Sequence, residues 1–218
     1  MHLSKTLLAA TVLAAAGAAS AAPTTVSLIS AAPVPQVPMK MSFDGGVTYG
    51  TDTAVQEYVV SSTAPDGTFA AFCLEPFQHL GLPWVYDNAG IFTVAQREGL
   101  SRLFTGANWQ SWNSGADGVT TAVQRVGLGI AVWDIFLDGA LNFSDGSVRV
   151  LDDGFGGAAM AFASASYAAG STSLAPYLMR LTDPRQQDLV IAVPEPTTYA
   201  LMLAGLMTVG FVARRRSR

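Results

Sequence analysis

VTTAVQRVGLGIAVWDIFL, running from Val119 to Leu137, is the stretch on which the reading of the fold turns. Val119, Ala122, Val123, Val126, Ile130, Trp133 and Leu137 recur at helical spacing and make one apolar stripe. Leu128, Ala131 and Ile135 make the opposite side apolar as well, so the helix is expected to be buried nearly all round. Gly139 stands where a left-handed residue would end it. A helix of this kind needs other layers to cover it.

Upstream, the pattern is that of strands. Thr24–Ser30 alternates weakly, and Ala31–Pro38 reads as a proline-punctuated connector. Met39–Phe43 and Val47–Tyr49 flank Asp44-Gly45-Gly46, a hairpin turn signal. Val55–Ser61 and Thr68–Leu74 flank a second one, Ala64-Pro65-Asp66-Gly67. Pro76 to Asp87 reads as a loop rich in proline and aromatics. Thr93–Phe104 has helical spacing (Val94, Leu100, Leu103, Phe104) with Gly106 just beyond its end. Gly156–Ala169 is alanine-rich enough for a third helix. Tyr177–Leu181 and Asp188–Val193 return to strands around Asp183-Pro184-Arg185. The expected class is α+β: a β-sandwich or barrel-like domain with a helical insert.

Both ends read as processing segments. Residues 1–21 have the layout of a secretory signal peptide: Lys5, an apolar run from Leu7 to Ala16, then small residues. Ala19 and Ala21 place the cut before Ala22, which excludes a cytoplasmic destination. The body is then 22–192, the size of one domain. At the other end, Val193-Pro194-Glu195-Pro196 interrupts any regular element, because both prolines fix φ and lack an N–H. Thr197–Ala213 follows without a charge, and Arg214, Arg215, Arg216 and Arg218 close the chain. As a helix, 197–213 would measure about 26 Å, so a transmembrane helix is expected there. The arginines would keep its C-terminus in the cytoplasm and the body outside the inner membrane.

Val193, Pro194, Glu195 and Pro196, the apolar segment and the arginine cluster, in that order, resemble the PEP-CTERM sorting signal of exported Gram-negative proteins. That resemblance implies export through signal peptidase and the Sec translocon, then recognition and cutting by an exosortase. It points to a cell-surface or extracellular-matrix protein with a structural or adhesive role, exopolysaccharide or another matrix component being its partner.

The body is acidic. Its basic residues are Lys40, Arg97, Arg102, Arg125, Arg149, Arg180 and Arg185, and Asp and Glu outnumber them by about two to one. Such a body has no basic patch for nucleic acid. Cys73 is the single cysteine, so the chain makes no internal disulfide. Phe72-Cys73-Leu74-Glu75 on a strand, with Ile130-Ala131-Val132-Trp133 on a helix, is similar to the thioester domains of bacterial adhesins. There the cysteine condenses with a glutamine four residues before the tryptophan, to form a covalent adhesin. Gly129 occupies that place here, and Gln124 lies about 140° away round the helix. The remaining chemistry is thin. Cys73 with His79, the one histidine outside the signal peptide, is the least unreasonable catalytic pair, and would make a secreted hydrolase. No metal site or cofactor is expected: the spacing of Asp145-Gly146 and Asp152-Asp153-Gly154 fits no calcium motif. Trp84, Trp109 and Trp112 lie in loop-like sequence and could stack on sugars or pack over a core edge. The body is therefore read as a non-enzyme.

Overall fold

The computed structural model describes residues 25–33, 37–53, 57–63, 66–78, 81, 83–109, 121–193, 205–209 and 214. Six antiparallel strands close into a barrel: β1 (Thr25–Pro33), β4 (Glu57–Thr63), β5 (Asp66–Cys73), β9 (Gln186–Ala192), β8 (Leu178–Asp183) and β6 (Trp84–Gly90), with β6 returning to β1. The longest ladder is the β4–β5 hairpin, paired from Glu57↔Phe72 to Thr63↔Asp66. Closure removes free sheet edges, which would otherwise template pairing with other chains. A second, three-stranded sheet sets β2 (Pro38–Ser42) between β3 (Gly50–Thr53) and β7 (Arg149–Asp152).

Three helices lie between β6 and β8 in the chain: α1 (Val94–Gly106), α2 (Ala122–Asp138) and α3 (Ala158–Ala169). Both α1 and α2 begin with a capping box, Thr93 with Gln96 and Thr121 with Gln124. Gly139 ends α2 at φ 81°, the left-handed conformation that glycine adopts at no steric cost. Every residue of α2 from Val126 to Ile135 is buried.

Strand alternation divides the core. Phe69, Ala71, Cys73, Leu189 and Ile191 point into the barrel with Val26, Leu28, Tyr86 and Leu181. Ala70, Phe72, Leu74, Val190 and Ala192 point outward and meet Leu100, Leu103 and Phe104 of α1 and Leu128, Ala131 and Val132 of α2. A third cluster joins Met39, Met41 and Val148 near the small sheet to Val126, Ile130 and Trp133. Helix α2 thus serves two cores at once.

The sequence expectations need four corrections. The second arm of the first hairpin is 50–53 rather than Val47–Tyr49, because Asp44 folds the intervening chain into a wider loop: its Oδ1 accepts from the N–H groups of Val47 (3.0 Å) and Thr48 (2.9 Å). Strand β1 runs to Pro33, into the proposed connector. The aromatic loop 76–87 contains the start of β6, a barrel strand whose Tyr86 is fully buried. Finally, the transmembrane helix expected over 197–213 is overturned. Among the described residues no helix is long and apolar enough to cross a membrane. Within that segment only 205–209 is described.

The α2–α3 contact can be tested. A Cβ on Gly127 would fall on the carbonyl oxygen of Ala159, a backbone atom that cannot swing aside. Gly127→Ala would gain about 1 kcal/mol of helix propensity. It would lose about 1–3 kcal/mol to overpacking. The expected outcome is a net lower melting temperature by circular dichroism; an unchanged or raised one would show that α3 moves freely.

Candidate functional site

The sorting segment begins where the barrel ends. Strand β9 finishes at Ala192, and the Val193 N–H donates to the carbonyl of Tyr177 at 2.8 Å. Residues Pro23–Pro194 form one compact unit, while Met1–Ala22 and Glu195–Arg218 belong to another. The motif therefore starts within one residue of a strand locked on both sides, by β5 and β8. Pro194, Glu195, Pro196, Arg215 and Arg216 lie outside the described residues, as do Ala19 and Ala21. Arg214 is described and exposed.

Cys73 is the last residue of β5, 5% exposed, and faces the barrel interior. Phe72 and Leu74, on either side of it, face the helices instead. Trp133 sits in the third cluster, edge-on to Phe43 at 5.5 Å. A thioester needs its cysteine on the strand face toward the helix, and the alternation gives that face to Phe72 and Leu74. Gly129 is buried within α2, and Gln124 is spent on the cap, its Oε1 accepting from the Thr121 N–H at 3.0 Å. Polar groups cover the chain beyond Cys73: the Leu74 N–H donates to Asp188 O at 2.8 Å, and Gln187 Nε2 donates to Glu75 O. Arg180 pairs with Asp188 Oδ2 at 2.7 Å. Burial, followed by the nearby Asp188 carboxylate, raises the Glu75 carboxyl above its ordinary value; the Asp188 N–H and Arg180 oppose that rise. His79 lies outside the described residues, so the cysteine–histidine pair has no geometry to report.

The tryptophans are mostly occupied. Trp109 is buried against Phe104 and Phe72, at centroid distances of 4.1 and 5.2 Å. Trp84 is covered by the Arg185 guanidinium at 4.6 Å. Trp112 lies outside the described residues.

The acidic turns have a different use from metal binding. Asp153, fully buried, accepts four backbone N–H groups, from Phe155 and Gly157 on Oδ1 and from Ala159 and Met160 on Oδ2, all at 2.8–3.0 Å. It caps α3 from four residues outside, where the true N-cap, Gly157, has no side chain to do so. Burial alone would raise its pKa, but these donors outweigh burial and hold it below the ordinary value. Asp138 Oδ2 accepts from the N–H groups of Ser147 (2.8 Å) and Val148 (3.2 Å). One turn earlier, Asp134 is fully buried on α2: its Oδ2 accepts from the Asn142 N–H at 2.5 Å, and its Oδ1 has no hydrogen-bond partner. Burial pushes its pKa up to about 7; the Asn142 N–H opposes this, and repulsion from the Asp138 carboxylate adds to it. Charge patterning missed Asp134. An aspartate inside an apolar helical run was the available signal.

Two outcomes follow. Iodoacetamide should leave Cys73 unmodified in the folded protein and alkylate it in denaturant, and intact mass should show no loss of ammonia. Rapid native alkylation would put Cys73 outside the barrel. For Asp134, the folded pKa of about 7 lies above the ordinary 3.8, so the folded state holds the proton more tightly. Its contribution to stability is therefore full below the unfolded pKa and is lost as pH rises to about 7, a change on the order of a few kcal/mol. Thermal melts from pH 4 to 8 should fall across that window, and Asp134→Asn, which cannot ionise, should flatten the fall. An equal slope in both proteins would count against a protonated Asp134.

Sequence comparison adds one family. No curated protein and no solved structure matches the chain. The model of the PEP-CTERM protein-sorting motif matches residues 192–216, so the segment that follows the barrel's last strand is the sorting motif of an exported exosortase substrate: cargo, with no catalytic family indicated.

Proposed function

We propose that this chain is a surface or extracellular-matrix protein whose barrel-and-helix body is the delivered part and whose role is structural or adhesive. The observation that carries this reading is the sorting motif at 192–216, which begins on the final residue of β9. Signal peptidase cuts between Ala21 and Ala22 after export through the Sec translocon. The exosortase then acts at Val193-Pro194-Glu195-Pro196. The body delivered is 22–192, and matrix polysaccharide is its partner. A closed barrel suits such cargo, since its six strands leave no barrel edge to aggregate during transit.

Because β9 is hydrogen-bonded to β5 and β8, cutting beyond Ala192 leaves the barrel intact. The test is the intact mass of the protein recovered from its native host, in membrane and culture-supernatant fractions. The expected species begins at Ala22 and ends within Val193–Pro196, folded by circular dichroism. Persistence of Arg218 in every fraction would overturn exosortase processing.

A further inference from the structure

Helix α3 has two faces with different fates. Ala159, Ala163 and Ser166 are buried. Ala159 and Ser166 set their carbonyls against Gly127 of α2 and Gly106 of α1. Met160, Ser164 and Tyr167, also at i, i+4 and i+7, line an open cavity of about 560 Å³ together with Asn142, Phe143 and Ser144 of the α2–β7 loop. A volume of that size lies within the range of small-molecule sites, about 300–1,000 Å³.

The loop is held off α3 from behind. Asp134 fixes the Asn142 N–H, and Asp138 fixes those of Ser147 and Val148. Asn142 Oδ1 in turn accepts from the Ser144 N–H (3.2 Å) and Oγ (2.9 Å). A wall clamped at both ends keeps its shape without a ligand, so binding costs little reordering.

The lining carries no charged side chain, although the chain has 28 charged residues by the sum of 12 Lys+Arg and 16 Asp+Glu. Phe143, Met160 and the Tyr167 ring supply apolar surface. The Asn142 Nδ2, with the Ser164 and Tyr167 hydroxyls, supplies hydrogen-bonding groups that suit a ligand with an apolar face and a hydroxyl rim. A pyranose ring has both: axial C–H groups pack on an aromatic face by dispersion and weak C–H contacts, and the hydroxyls pair with neutral donors and acceptors. The geometry points to this cavity as a binding site for a neutral hexopyranose unit of an extracellular glycan. The site rests on the matrix-protein reading only for the source of the sugar.

The experiment is saturation-transfer NMR on the full chain with methyl glucoside, methyl mannoside and methyl galactoside, and with methyl glucuronide as the anionic comparator. At least one neutral glycoside should receive saturation with a Kd of about 1–10 mM, as one small ring allows. The glucuronide should bind at least about tenfold more weakly, for want of any cation in the lining. Ser164→Leu, on the exposed side of α3, should fill the cavity and weaken binding at least about tenfold. Tyr167→Ala should do the same, with the leucine variant as the control should the alanine variant misfold. No saturation of any neutral glycoside, equal binding of the glucuronide, or binding indifferent to Ser164→Leu would overturn the site. Those results leave the mass of the processed species untouched, just as an unprocessed C-terminus would leave glycoside binding untouched.

Discussion

Burial of α2 on every side is the constraint from which most of this structure follows. From Val126 to Ile135 no residue reaches solvent, so each face must be matched by a neighbour. One face takes the outer surface of the barrel through Leu128, Ala131 and Val132; another takes the small sheet through Val126, Ile130 and Trp133. Gly127 gives α3 room to approach at backbone distance. Helix-on-helix contact that close is open only to residues without a side chain in the way. A carboxyl at 134 in such a helix would cost several kcal/mol if ionised without compensation. Holding a proton, and accepting the Asn142 N–H, removes most of that penalty.

The barrel imposes a second constraint, through the two-residue period of its strands. Cys73, at the end of β5, falls in register with Phe69 and Ala71, so it goes inside. One residue of slip would have set it against the helices and within reach of α2. A motif that looks reactive when read along the chain is thereby an apolar wall residue. The same period sends Val190 and Ala192 outward to the helices and Leu189 and Ile191 inward, which locks β9 from both faces. Cutting within Val193–Pro196, beyond Ala192, costs the fold no buried side chain of that strand.

Local signals were legible where one element decides its own state. The apolar stripe from Ala122 to Leu137, Gly139 beyond it and the Thr93 start of α1 all carry short-range information. The sorting motif was legible for the same reason, since order and composition suffice for it. What the sequence hid depends on partners far away in the chain. Strand β6 (WVYDNAG) carries little alternation of its own and is a strand because β1 and β8 pair with it. Strand β7 exists only as the third member beside β2. The loop 43–49 looked like a tight hairpin until Ser42 and Asp44 were seen to gather its N–H groups. The expected membrane helix finds no counterpart among the described residues, where no helix is long and apolar enough to cross a membrane.

Several of the body's aspartates have a structural use that composition could not show. A chain with one cysteine cannot cross-link its loops covalently, and these loops are closed by aspartates accepting backbone N–H groups. Asp44 holds Val47 and Thr48, Asp138 holds Ser147 and Val148, Asp152 holds Gly154, Asp153 holds four donors, and Asp183 holds Arg185. At Asp44 the Ser42 hydroxyl and then the loop amides bring the pKa to about 2. Asp134 is the exception, pushed the other way because it is buried beside a second carboxylate with one amide to stabilise it. Part of the negative charge of this protein thus serves to clasp loops, and none of it lies on the cavity wall.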